Sequence, residues 1–86
     1  MFARRLRIEI EQEGSARACP LDWLDQFFMR HFTGFTALEH TLPAGEGCLE
    51  AGFGVDLDLL QRQFEQWLKG RKLISPAAQL KITTES

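Results

Sequence analysis

The sequence predicts an α+β fold: a ferredoxin-like split βαβ sandwich, with four antiparallel strands and two helices on one face of the sheet. Three observations carry this. Residues 2–12 alternate apolar and charged side chains, two later segments carry apolar stripes at helical spacing, and a turn of hairpin length falls between those segments. The resulting order is strand, helix, strand, strand, helix, strand. Two right-handed crossovers around a central hairpin fold that order into the split βαβ arrangement. With 86 residues the chain accommodates a single domain, residues 1–86, and no second core.

In the first strand Phe2, Leu6, Ile8 and Ile10 share one parity and Arg5, Arg7, Glu9 and Glu11 the other, the pattern of a half-buried strand with a charged outer face. Residues 13–20, EGSARACP, read as a loop. Pro20 then suits a first helical position, and Leu21, Leu24, Phe28 and Phe32 form one stripe with Phe27 beside it. Thr33-Gly34 ends this helix. Residues 35–42 read as the second strand, residues 43–47 (PAGEG) as the turn, and residues 48–55 as the returning strand. Asp56 is a fitting N-cap for a second helix whose stripe is Leu57, Leu60, Phe64, Trp67 and Leu68, with Gly70 at its stop. Leu80 and Ile82, alternating with Lys81 and Thr83, give the last strand.

Hydrophobic residues make up 44% of the chain, including seven Phe and two Trp, so a packed core is expected. A net charge of −2 supplies no global field for neutralising phosphates. The segment MFARRLRIEIEQ has early arginines without an apolar stretch behind them and reads as a strand, not a signal peptide. No apolar run approaches the roughly 20 residues of a membrane helix. Two cysteines are too few for a disulfide scaffold, and a reducing cytoplasm is the expected location.

The stretch EAGFGVD, residues 50–56, resembles the third strand of an RNA-recognition motif, in which an aromatic side chain stacks on a base. Strand parity argues for another role. If Phe53 and Val55 faced outward, Glu50, Gly52 and Gly54 would line the core. The opposite choice buries Leu49, Ala51, Phe53 and Val55, and it is the expected one. No nucleic acid is expected as a partner.

Cys19-Pro20, placed after the first strand and before the first helix, resembles the Cys-Pro start of the first helix in a bacterial sulfur-carrier family. The resemblance implies a persulfide carried on Cys19, and a helix start lowers a thiol's pKa. Asp22 stands where that family has a second proline. The plainer reading of Cys19 is a small residue packed in a loop, and it is preferred. Cys19, His31, His40 and Cys48 are residue types that bind zinc, yet they lack the short paired spacing of structural zinc sites, so no metal is expected. The pairs Asp22/Asp25 and Asp56/Asp58 fall at helix starts, where capping explains them. Ser15, Thr36 and Ser75 have no base arranged beside them, and no glycine loop cradles a phosphate. No catalytic residue and no cofactor are expected.

On the first helix Trp23 lies off the main stripe, toward Phe27 and Arg30, while Met29 lies off it on the other side. This helix is apolar over more surface than one sheet face covers. Trp23, Met29 and Phe27 are therefore the candidate partner-binding residues. The sequence favours a non-enzymatic interaction module that self-associates or docks to a protein. A thiol carrier or redox accessory built on Cys19 is the alternative, and a small-ligand regulatory domain is a weaker one.

Overall fold

The computed structural model describes residues 3–31 and 41–85. Within them the chain is α+β, with five strands in an antiparallel sheet and two helices. The strands are β1 (Ala3–Gln12), β2 (Ser15–Ala18), β3 (Thr41–Gly45), β4 (Cys48–Gly52) and β5 (Gln79–Glu85). Helix α1 begins as Leu21–Asp25 and continues with π winding through Gln26–His31, and α2 is Leu57–Gly70. The expected strand over residues 35–40 and the helix end at Phe32 lie outside the described residues.

β1 is the strand on which the others assemble. Its residues Arg5 to Glu11 pair with β5 from Glu85 to Gln79. Its other edge is divided: Ala3 to Arg7 pair with β4, and Glu9 to Gln12 pair with β2. A strand has only two hydrogen-bonding edges, so β4 and β2 meet end to end beside Ile8. Three backbone bonds close that junction: Ile8 N–H to Gly47 O (2.8 Å), Gly47 N–H to Cys19 O (2.7 Å) and Cys19 N–H to Ile8 O (3.0 Å). Gly47 holds a left-handed φ of +62° there. β3 completes the sheet by pairing with β4.

β2 corrects the reading of residues 13–20 as a loop. All four of its side chains are exposed, so no apolar alternation marks it. What makes it a strand is the two-residue turn Glu13-Gly14, with φ of +53° and +79°, which joins Gln12 to Ser15 in register. Two consecutive left-handed residues define the turn whose twist matches a β-hairpin. Glutamate bears a steric cost in that conformation that asparagine largely escapes. Glu13→Asn is therefore expected to stabilise the protein by about 0.5–1 kcal/mol, read as a higher urea midpoint at unchanged slope.

The central hairpin is tighter than the sequence suggests. Pro43 and Gly45 belong to β3, opposite Leu49 and Cys48, with a bulge between them, so the turn is Glu46-Gly47 rather than residues 43–47. Proline is tolerated because β3 is an edge strand. β4 ends at Gly52. A turn follows, closed by Val55 N–H to Gly52 O at 3.1 Å, and it turns Phe53 out to 64% exposure. The expectation that Phe53 packs inward is thus overturned, while Leu49, Ala51 and Val55 are buried as expected. Phe53 sits on the turn that follows β4.

Asp56 caps α2 as the sequence predicts, accepting from Asp58 N–H (3.0 Å) and Leu59 N–H (3.2 Å). The stop differs. Gly70 is the last helical residue, and the left-handed position falls on Lys72 (φ +59°). There Leu73 N–H reaches Leu68 O and Lys72 N–H reaches Lys69 O, both at 3.0 Å, the two bonds of a Schellman motif.

Both helices pack on one side of the sheet. Leu6, Ile8 and Ile10 of β1, Leu49 of β4 and Leu80 of β5 meet Leu24, Leu60, Phe64 and Leu68 from the helices. The other side is open and charged. Arg5 pairs with Glu50 (3.8 Å), Arg7 with Glu85 (3.3 Å) and Lys81 with Glu11 (3.8 Å). These cross-strand pairs are exposed and each contributes at most about 1 kcal/mol.

Candidate interaction surface

The junction that seats β2 against β4 also fixes Cys19. Its side chain is fully buried, and its Sγ–H points to Pro20 O at 3.8 Å. Burial pushes the thiol up from its ordinary 9.0 to about 12; the Glu46 carboxylate pushes the same way and Arg17 acts weakly against both. The expected lowering of this pKa is therefore reversed. A helix start favours a thiolate only where the sulfur reaches solvent or the helix N–H groups. Here Glu46 occupies that place, its carboxylate accepting from Leu21 N–H at 3.1 Å. Cys48, the other free cysteine, lies opposite Arg7 on the open face and is half-buried.

The raised pKa of Cys19 makes the stability of the fold depend on alkaline pH. A thiol whose folded pKa exceeds its unfolded one contributes its full stabilisation below about pH 9 and loses it as pH climbs toward 12. Unfolding free energy should therefore fall above pH 9, by up to about 1.4 kcal/mol per pH unit from this group. Denaturation of the wild type and Cys19→Ala at pH 8 and pH 11 checks this, because the variant should show the smaller alkaline loss. Equal losses would show that the thiol ionises alike in the folded and unfolded states, and would overturn the prediction.

The three residues singled out for partner binding have separate fates. Phe27 is 5% exposed and belongs to the core, with ring centroids 4.9 Å from both Phe28 and Phe64 and 5.4 Å from Trp67. The π winding explains this correction. It turns less per residue than an α-helix, so Phe27 and Phe28 both reach the core. Trp23 is half-buried against the core, and the Arg17 guanidinium lies 5.8 Å from its ring centroid. The Met29 side chain lies outside the described residues, as do those of His31 and His40.

Apolar surface emerges elsewhere. Leu21, counted in the buried stripe by its spacing, is 39% exposed at the first turn of α1, and Leu42 of β3 is 58% exposed. Both line a groove of ≈ 780 Å³ that runs between the start of α1 and the β3–β4 turn, with Pro43 and Ala44 along it. Its polar lining is Asp22, Asp25 and Glu46, all carboxylates. Asp22 accepts a bond from Gln26 Nε2 (2.9 Å), which orients it on the helix surface. Among the described residues the groove thus pairs two exposed aliphatic side chains with three acidic ones, and none of its lining residues is basic. Such a surface suits a partner that offers aliphatic and cationic side chains together. Sequence periodicity missed it because Leu21 and Leu42 come together only through the packing of α1 beside β3.

No protein-family model matches the chain, and comparison with characterised proteins and with solved structures yields no match.

Proposed function

We propose that this chain is a non-enzymatic protein-docking module, working in a reducing cytoplasm without a cofactor. Its docking site is the acidic groove between α1 and the β3–β4 turn, and the occupant is a protein segment that presents lysine or arginine beside aliphatic side chains. The observation that carries this is the groove itself, where Leu21 and Leu42 stand exposed beside Asp22, Asp25 and Glu46. The scaffold is best read as ferredoxin-like, with β1, β3, β4 and β5 as its strands and β2 as an addition. The antiparallel pairings of β5 with β1, β1 with β4 and β4 with β3 support that reading.

Two synthetic peptides test the docking site, one alternating lysine with leucine and the other glutamate with leucine. The Lys/Leu peptide should shift the methyl resonances of Leu21 and Leu42 at low salt, less at high salt, and the Glu/Leu peptide should not. Leu42→Ser should weaken binding of the Lys/Leu peptide at least five-fold without changing the fold. Equal response to both peptides, or binding untouched by Leu42→Ser, would overturn the assignment.

A further inference from the structure

Among the described residues β2, β3 and β5 each have one strand neighbour, and the free edges of β3 and β5, at opposite sides of the sheet, are protected differently. On β3 the backbone is interrupted by Pro43, which has no N–H to offer, and by the adjacent bulge, two devices that discourage a further strand. On β5 the protection covers one residue. Leu80 N–H donates to Glu65 Oε1 (3.1 Å) and Leu80 O accepts from Gln61 Nε2 (2.8 Å), both side chains reaching over from α2. These bonds establish that Leu80 directs its backbone groups away from β1. In an antiparallel ladder that orientation recurs at every second residue, so Ile82 and Thr84 direct theirs to the same free edge. Among the described residues, no side chain or strand meets the backbone of Ile82 or Thr84 there.

We propose that this edge pairs with the β5 of a second copy of the chain, antiparallel, about a two-fold axis through Thr83. The charges are what single out a second copy. With Thr83 facing Thr83 of the other copy, Ile82 and Thr84 face each other, and these are the residues whose N–H and C=O groups point outward. The same register sets Lys81 opposite Glu85 in both directions. Within one chain Lys81 already lies 3.8 Å from Glu11, and Glu85 lies 3.3 Å from Arg7. The pairing joins these into one alternating row, Glu11, Lys81, Glu85, Arg7, that crosses from copy to copy on the open face. A two-fold interface requires a patch complementary to itself, and this strand satisfies that in backbone and charge together. The Gln61 and Glu65 contacts at Leu80 limit the overlap to residues 81–85, so the dimer is a weak one. This surface lies at the opposite edge of the sheet from the acidic groove, and neither proposal depends on the other.

Sedimentation velocity across a concentration series tests it, together with three variants. The wild type should pass from monomer to dimer in the micromolar range. Thr84→Pro removes an outward N–H while leaving the β1–β5 ladder bonds in place, and should raise the dissociation constant at least ten-fold. Glu85→Lys should do the same by setting two cations face to face, whereas the double swap Lys81→Glu/Glu85→Lys should recover most of the association. A wild type that remains monomeric to millimolar concentration would overturn the proposal and leave the edge to a strand from another protein. A dimer unaffected by Thr84→Pro, or one that the charge swap fails to restore, would overturn it as well.

Discussion

Gly47→Ala should destabilise the protein by about 3 kcal/mol, combining left-handed strain of about 1–2 kcal/mol with a local overpacking cost of similar size. A Cβ at Gly47 would stand 2.8 Å from Ala18 Cβ, 3.0 Å from Ile8 O and 3.2 Å from Ala18 Cα. None of these is the end of a flexible side chain that could swing aside. Relief requires β2 to move away from β4, and that movement breaks the triangle of bonds among Ile8, Cys19 and Gly47. It also carries away Glu46, the acceptor for the first N–H of α1. Chemical denaturation gives the cost, and two controls divide it. Gly14→Ala keeps only the backbone strain, since φ there is +79° and the space is open, while Gly54→Ala meets neither strain nor contact. The expected ranking of losses is Gly47, then Gly14, then Gly54. A Gly47→Ala protein within 0.5 kcal/mol of wild type would show that the junction does not organise the sheet.

Phe64→Ala should be larger still, at about 3–5 kcal/mol. Phe64 is fully buried, and its ring centroid lies 4.9 Å from Phe27, 5.5 Å from Phe28 and 6.0 Å from Trp67. Like Phe27, it contacts each of the other three rings, and its loss opens a cavity between the two helices that neither can close alone. A chain of this length has a total stability on the order of 5–10 kcal/mol. The variant should therefore unfold at least about 15 °C lower, with Phe64→Leu falling between it and wild type. A shift of only a few degrees would mean that the helices repack around the gap.

The parts of the fold that were legible in the sequence are those whose burial has a period. Leu6, Ile8 and Ile10 announce β1, Leu60, Phe64 and Leu68 announce α2, and Asp56 marks the start of α2. The parts that were not legible are held by backbone geometry or by contacts between distant segments. β2 has no buried side chain, so its only local sign is Glu13-Gly14, and glutamate is an uncommon choice for a left-handed turn. Phe53 keeps the parity of Leu49 and Ala51 in sequence, but the turn after Gly52 removes it from the strand. Lys72 takes the left-handed position that composition alone assigns to Gly70, two residues earlier. For the surface, acidic residues near a helix start are visible in any sequence. That Asp22 and Asp25 share a groove with Leu42 and Glu46 depends on how α1 lies along β3, which no local pattern encodes.

The pairing of Arg5 with Glu85 has a mechanical meaning. Because β1 and β5 run antiparallel, the start of one and the end of the other leave the sheet side by side. Tension applied between these two points loads the ladder one rung at a time, so β5 peels from β1 as a zipper opens. A shearing geometry would load all rungs at once and resist far more. The ladder should thus yield at low force when Arg5 and Glu85 are drawn apart, whatever the resistance of the fold to heat or denaturant. Once β5 is gone the length of β1 from Arg5 to Glu11 is bare along one edge. A machine that threads the chain from the β5 side would meet its least resistance at the first step.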